Sequence, residues 1–296
     1  MRRYKIHIIL FILTVASTLF VGGAHLSLTG GFTFSIILGL SYSFSIMLIL
    51  LGHEMGHYLM SQKYRIRATL PYFLPFPHIY IPFLGWLPSP FGTLGAVIRM
   101  ESSVSSRKAL FDTGVAGPLT SFILSIPAIV IGLKFSTVIP ISHIKGGGIR
   151  LADPLIFSFI QKLVMQDIPS NCEVVLHPIA YAGWVGLFVT SLNLLPIGQL
   201  DGGHVVYGLF GKRSRVIFLI AIVVMAFITV FYNPGWFLLL ILIILFGFRH
   251  PAPLDDETPL GWKRKLLGGV VFLAFFLSFT PTPFPDYVGD LKEIFR

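Results

Sequence analysis

The 296-residue sequence is poor in charged side chains and contains one cysteine. Charged residues make up 12% of the chain, where a globular domain has about 25%. Hydrophobic residues make up 54%. So few charges cannot cover such a large apolar content in water, which excludes a soluble globular protein and a disordered chain. The lone Cys172 excludes an intrachain disulfide and a cysteine-rich zinc site.

Long apolar runs fill most of the chain instead. A membrane-spanning helix takes about 20 such residues. The candidate spans are residues 6–22, 33–59, 109–133, 177–197, 214–232, 235–248 and 266–281. The first run follows a basic start and resembles a signal peptide, but it is long for one and its cleavage site is weak, so we interpret it as a span. We therefore expect an all-α polytopic membrane protein with about seven transmembrane helices.

The basic residues predict the orientation. With the N-terminus inside, 16 of the 22 Lys and Arg fall in inside segments, which favours a cytoplasmic N-terminus. Because no organelle signal is recognisable, we expect the plasma membrane of a prokaryote. The net charge of +9 lies in loops beside apolar runs and not in basic–aromatic stretches. We therefore expect the lipid bilayer, and not nucleic acid, as the partner of these charges.

Residues 70–100, between the second and third spans, are apolar but cannot form a regular helix. Six prolines interrupt them. Residues 91–98 resemble a short strand or hairpin. Irregular backbone at membrane depth needs protein or a water-filled cavity beside it, which predicts a short membrane-associated β-hairpin or loop near a site. An aromatic loop lying on the membrane surface is the alternative. Further along, residues 154–165 have the pattern of an amphipathic helix.

The second span ends in a motif that carries chemistry, His53-Glu54-Met55-Gly56-His57. Histidines at positions i and i+4 share one helix face, so both imidazoles can bind one metal ion. Glu54 can then act as general base toward water at that ion. Ionisable residues are costly in an apolar span and mark function there.

A two-histidine site needs a third ligand, and Asp201 is the candidate. It is the only carboxylate between Glu173 and Asp255. It follows the fourth span and, in the topology above, reaches the same side of the membrane as the histidines. Asn193, before the break at Pro196, either holds a substrate or merely ends its helix. His204 is a candidate hydrogen-bond partner of Asp201 or an ordinary loop histidine.

Together these motifs resemble the site-2 protease family of intramembrane zinc metalloproteases. The resemblance covers about residues 33–210 and includes Gly114-Val115-Ala116-Gly117-Pro118-Leu119 and the hairpin 91–96. It implies one Zn²⁺ per chain, bound by His53, His57 and Asp201. It also implies Glu54 as catalytic base and Asn193 as a substrate-orienting residue. The loop 134–176 is too short for the PDZ domain that several family members carry.

From this resemblance we expect peptide hydrolysis in or near the transmembrane segment of single-span, membrane-anchored substrates. The expected divisions are an N-terminal helix and outside loop (1–32), a protease core (33–210) and C-terminal helices with a tail (211–296). A substrate helix must unwind to be cut, and the strand at 91–98 could pair with it. A metal-binding transporter and a catalytically inactive scaffold are the alternatives.

Overall fold

The computed structural model describes residues 2–24, 34–77, 79–81, 85–87, 89–100, 104–143, 150–246 and 252–285. This part of the chain is mostly helical, as expected. Its helices are α1 (Arg2–Ala24), α2 (Ile36–Lys63), α3 (Arg107–Lys134), α4 (Leu155–Met165), α5 (Pro178–Asn193), α6 (Asp201–Phe210), α7 (Ser214–Phe231), α8 (Phe237–Phe246) and α9 (Trp262–Ser278). Its strands are β1 (Tyr72–Pro75), β2 (Ile79–Ile81), β3 (Gly85–Leu87), β4 (Thr93–Val97), β5 (Thr137–Pro140) and β6 (Cys172–Val175).

Four helical units in the described ranges are long and apolar enough to cross a membrane. Three are α1, α2 and α3, which match the first three predicted spans. The fourth runs over Asp201–Phe231, where a 3₁₀ turn joins α6 to α7. The chain is therefore an integral membrane protein. Serine caps begin two of these helices, since the Ser35 and Ser106 hydroxyls accept backbone N–H bonds from the first turns of α2 and α3.

The other three predicted spans are shorter helices. α5 has 16 residues, because the chain turns at Leu194 just before Pro196. α8 has 10 residues and α9 has 17. At a rise of about 1.5 Å per residue, all three fall short of a hydrocarbon layer about 30 Å thick. Among the described residues, helix length alone thus gives four crossings, and seven remains a prediction.

The proline-rich segment after α2 forms two nested hairpins. β1 pairs with β4 in an antiparallel ladder, and β2 pairs with β3 between them. Side chains from three helices hold the loop that enters β4: Ser17 of α1, Tyr42 of α2 and Tyr181 of α5 donate to the carbonyls of residues 92, 91 and 90. The described end of this segment therefore packs against protein, and the alternative of a loop lying only on the membrane surface does not apply to it.

Helix α3 lies at the centre of the bundle and packs against α2, α5 and α6. The largest fully buried side chains sit on these helices, among them Tyr42, Phe111, Tyr181 and Trp184. On the side where α3 ends, β5 and β6 form a two-stranded antiparallel sheet that the sequence did not predict. Helix α4 confirms the predicted amphipathic helix. Helices α2, α3, α5 and α6 carry the candidate site residues discussed below.

Candidate active site

The last third of α2 carries the motif residues into the bundle interior. His53, Glu54 and His57 are each less than 10% exposed. The spacing of four residues puts both rings on one face, as predicted. Their Nε2 atoms lie 3.1 Å apart. Two potential ligand atoms thus face the same point in space.

Asp201 supplies a third atom at that point. It is the first residue of α6, and the turn over residues 194–200 carries it back from the end of α5 toward α2. Its Oδ2 lies 3.3 Å from Nε2 of His53 and 3.2 Å from Nε2 of His57. The structure therefore brings together the residues that the sequence separates by 144 positions.

The spacing of these three atoms fits a metal ion. A tetrahedral zinc ion with bonds of about 2.0–2.1 Å holds its donor atoms about 3.3 Å apart. The three observed separations are 3.1, 3.2 and 3.3 Å. Two imidazoles and one carboxylate also form a ligand set typical of catalytic zinc sites, which keep a fourth position open. Within the described residues, this is the group of potential ligands close enough to hold one ion.

Both histidine rings are held from behind. Nδ1 of His57 lies 2.8 Å from the carbonyl oxygen of Thr113, and Nδ1 of His53 lies 3.0 Å from the hydroxyl of Ser121. A carbonyl can only accept, so Nδ1 of His57 carries a proton, and Nε2 is the ring nitrogen that faces the common centre. Metal-binding histidines usually make such a second bond, which fixes the ring and its tautomer.

Glu54 lies beside the three candidate ligands in one cavity of about 220 Å³. Ile98, just after β4, lines the same cavity as Glu54. Residues 96–98 and Met100 form one wall of the cavity. The proline-rich segment therefore reaches the site, as the sequence analysis expected, and its strand β4 ends next to the candidate base.

Asn193 and His204 also line this cavity. Nδ2 of Asn193 lies 3.2 Å from Nε2 of His53, so the amide is next to the candidate ligands and does more than end its helix. All five predicted site residues are thus brought together: His53, Glu54, His57, Asn193 and Asp201. Their individual roles are taken up below.

Gly117 on α3 leaves the space that His57 occupies. A Cβ atom added at this glycine would lie 2.1 Å from Nε2 of His57, a distance at which something must move. The ring could then reach its position only if α2 and α3 separated. Gly117 therefore contributes to the site because it lets α3 pack closely against His57 of α2.

Sequence reasoning missed three contributors to the site. Thr113 acts through its carbonyl, which gives no signal in a sequence. Ile98 lines the cavity beside Glu54, and an isoleucine in an apolar stretch gives no signal either. Ser121 could have been found, since it is a polar side chain inside an apolar span, and such residues mark function.

Two histidines one helical turn apart, a carboxylate from a second helix and a buried glutamate are the residue set of a metallopeptidase centre, here within a membrane protein. The model of a known family, described as peptidase family M50, matches residues 41–232. The chain belongs to this family, the site-2 proteases.

Curated relatives agree with that assignment. "Probable zinc metalloprotease EGY1, chloroplastic" of Arabidopsis thaliana is 30% identical over 250 residues, which are 82% of this chain and 43% of the relative. "Probable zinc metalloprotease EGY2, chloroplastic" of the same plant is 28% identical over 239 residues, 80% of this chain and 41% of the relative. The chain thus spans about two fifths of the length of these relatives.

Among solved structures, the "Site-2 Protease from Methanocaldococcus jannaschii" matches with a TM-score of 0.36 and 18% identity. The match covers 86% of this chain and 93% of that chain. The assignment of the chain to the peptidase family therefore rests on the family model and the site, and not on this match.

Proposed function

We propose that the chain is an intramembrane zinc metalloprotease that hydrolyses peptide bonds in or near the transmembrane segments of membrane-anchored proteins. The observation that carries the proposal is the convergence of three ligand atoms, 3.1 to 3.3 Å apart, beside a buried glutamate in a cavity between membrane-spanning helices. Family membership and the zinc metalloproteases among its relatives support it.

The ligand roles go to His53, His57 and Asp201, which would hold one zinc ion per chain. A bound zinc ion supplies Lewis-acid polarisation of a carbonyl and lowers the pKa of water. Glu54 accepts the proton of the attacking water and passes it to the leaving amine.

Asn193 has the position of a substrate-orienting residue. Its side-chain amide faces the candidate ligands from α5, in the cavity that the end of β4 also lines. An amide N–H placed there can donate to a substrate carbonyl or to the oxyanion that develops from it. Because α5 and α2 are packed into the core, the amide is held in place before substrate arrives.

The end of β4 has the position of a substrate-binding strand. Within the described residues, β4 pairs with β1 alone, which leaves its second edge open. A substrate helix has internally paired amides and must unwind before hydrolysis. An unwound segment that added to β4 by strand pairing would run along the cavity wall past Glu54. Single-span membrane proteins are the substrates that this arrangement suits.

We keep the predicted topology and divisions as part of the proposal: seven crossings, an N-terminal unit (1–32), a protease core (33–210) and C-terminal helices with a tail (211–296). Most Lys and Arg lie on one side of this topology, which supports a cytoplasmic N-terminus. A prokaryotic plasma membrane remains the expected location. In this topology Cys172, which is partly exposed on β6, lies on the outer side of the membrane.

Thiol labelling tests the orientation. A membrane-impermeant maleimide added to intact cells should label Cys172. Labelling only after the cells are permeabilised would reverse the topology.

Cleavage assays test the activity. Purified wild type and Glu54→Gln are incubated with a panel of single-span model proteins, with and without a zinc chelator. We expect chelator-sensitive cleavage by wild type and a loss of at least about 100-fold in the variant, since general acid–base catalysis contributes about 10²–10⁴-fold. Equal cleavage by the variant would remove Glu54 from its role. Uncut substrates throughout would contradict the protease proposal and favour a transporter or a scaffold.

A further inference from the structure

The two candidate histidine ligands are anchored by different chemistry. His57 donates to the backbone carbonyl of Thr113, a partner that can only accept. His53 contacts the hydroxyl of Ser121, which can donate as well as accept. The Thr113 carbonyl therefore fixes the tautomer of His57 directly. For His53, the tautomer depends on where the proton of Ser121 goes.

The Ser121 hydroxyl has acceptors for its own proton other than His53: the carbonyls of Gly117 and Pro118 on α3, at 3.3 and 3.0 Å, and the hydroxyl of Thr190. Oγ of Ser121 lies 2.7 Å from Oγ1 of Thr190 on α5. Thr190 in turn donates to the carbonyl of Gly186, one turn back on the same helix, at 2.7 Å. With its own proton on Gly186, the Thr190 oxygen is left as an acceptor for Ser121. The Ser121 oxygen is then left as an acceptor for His53.

The contact with Thr190 is the shortest of these, and it extends a chain of hydrogen bonds across three helices. It runs from Nδ1–H of His53 on α2 through Ser121 on α3 and Thr190 on α5 to the Gly186 carbonyl. Ser121, Thr190 and His53 are each at most 3% exposed, so water does not compete for these bonds. Aligned hydrogen bonds in such surroundings polarise and strengthen one another.

Close packing of α3 and α5 makes the chain possible. A Cβ atom added at Gly186 would lie 2.3 Å from Oγ of Ser125 on α3 and 3.0 Å from Ile49 on α2. The glycine thus lets α5 approach both helices closely enough for the two hydroxyls to meet. Asn193 follows Thr190 by about one turn of α5, and its Nδ2 faces Nε2, the other ring nitrogen of His53. Helix α5 therefore acts on both nitrogens of this ring.

We propose that Ser121 and Thr190 are positioning residues that set the tautomer and the orientation of His53 as a metal ligand. The inference rests on the proposed zinc site and goes beyond it, since neither residue touches the ligand centre. It assigns the two histidines different sensitivities. The hydrogen-bond partner of His57 is a backbone carbonyl, which a side-chain substitution at Thr113 does not remove, whereas His53 depends on side-chain hydroxyls.

Zinc affinity of the purified full chain, measured by competition with a chelator, tests the proposal independently of cleavage. Ser121→Ala leaves the buried Nδ1–H of His53 without its partner. Thr190→Val keeps the shape of the side chain but removes the acceptor closest to Ser121 and leaves the carbonyls of Gly117 and Pro118. Loss of a hydrogen-bond partner behind a metal ligand costs about 10–100-fold in affinity. We expect a loss in this range for Ser121→Ala and a smaller one for Thr190→Val.

Two controls separate positioning from packing. Ser125→Ala removes another buried hydroxyl of α3, one that donates to the carbonyl of Ser121 within its own helix, and should leave zinc affinity within twofold of wild type. Thr190→Ser restores the hydroxyl that Thr190→Val removes and should restore the affinity. The Thr190 pair decides the matter even where Ser121→Ala does not fold.

The outcomes are distinguishable. Wild-type affinity in both Ser121→Ala and Thr190→Val would overturn the positioning role while leaving the zinc site intact. An equal loss in Ser125→Ala, or no recovery in Thr190→Ser, would assign the effect to packing and also overturn it. A wild-type protein that binds no zinc would overturn the proposed function and this inference together. Nitrogen-15 NMR of labelled histidine adds a direct readout, because protonation at Nδ1 and at Nε2 gives separate signals.

Discussion

Two polar clusters lie along α3, and they are built on opposite principles. In the clamp formed by Tyr64, Asp112 and Arg264, the Asp112 carboxylate accepts two bonds of 2.8 Å from Arg264 and one of 2.5 Å from Tyr64. Anion and cation are matched within the cluster. In the His53–His57–Asp201 site, three ligand atoms face one another instead, and no Lys or Arg is found among the described residues that line the cavity.

The difference separates a structural cluster from a binding site. The clamp satisfies its own hydrogen bonds and joins the end of α2 to α3 and α9, so it stabilises the fold. The site gathers ligand atoms that an external ion would complete. The two are connected through one peptide unit, because Asp112 precedes Thr113, whose carbonyl holds His57. Variants in the two clusters should therefore have different effects on metal binding and on unfolding.

Removal of a ligand should have the largest effect. His57→Ala leaves two of the three protein ligands, and we expect zinc to be lost at concentrations that saturate wild type, with cleavage below detection. The measurement is zinc per chain after dialysis. His7→Ala, which removes a histidine that contacts Pro71 and does not line the cavity, is the control and should keep the metal. A zinc content equal to wild type in His57→Ala would remove this residue from the ligand set.

Gly117→Ala should have the next largest effect on metal binding. The added methyl group would meet Nε2 of His57 at 2.1 Å and force the ring or the helix aside. We expect zinc affinity to fall by at least about tenfold, since displaced ligands lose most of their binding geometry. Gly269→Ala on α9, where the added atom meets nothing within 4 Å, is the matched control. Unchanged affinity in Gly117→Ala would show that α2 and α3 can separate at no cost to the site.

Asp112→Asn should sharpen the comparison from the other side. It breaks the clamp and leaves Arg264, about one third exposed, without its carboxylate. We expect the free energy of unfolding to fall by about 1–2 kcal/mol, while the zinc content stays at that of wild type. Denaturation in mild detergent measures the first quantity and metal analysis the second.

The exposed ion pair of Arg150 and Glu173 provides the control for this change. Its side chains are 57% and 35% exposed, so Glu173→Gln should cost less than about 1 kcal/mol. Loss of zinc from Asp112→Asn protein that is fully folded would show that the clamp belongs to the site.

The smallest expected effect concerns β4. Gly95 has a φ of +102°, which side-chain-bearing residues rarely adopt, and space for a Cβ is open around it. Gly95→Ala should therefore act through the backbone of the strand, lowering cleavage several-fold while zinc affinity is unchanged. Cleavage at the wild-type rate would count against β4 as the substrate-binding strand.

Local patterns in the sequence predicted much of this molecule. The apolar runs gave the long helices, and the spacing of His53 and His57 gave their shared face, because both signals are contained within one helix. Asp201 could be matched to them because carboxylates are rare between the later spans. The prolines of residues 70–100 correctly excluded a helix there.

Other features lie beyond local patterns. The α5 helix is shorter than its apolar run, since the chain turns before Pro196 to bring Asp201 back to the site. The pairing of Asp112 with Arg264 joins residues 152 positions apart, and Ser121 meets Thr190 across 69. Such contacts depend on how the helices cross, which apolar periodicity does not encode.

Metal content is the measurement that tests the central claim most directly. Purified wild type, His57→Ala, Glu54→Gln and Asp112→Asn are dialysed against the same zinc buffer and analysed by atomic emission. The account predicts about one zinc per chain in wild type, Glu54→Gln and Asp112→Asn, and none in His57→Ala, since only the last removes a ligand. No zinc in wild type, or equal zinc in all four proteins, would contradict it.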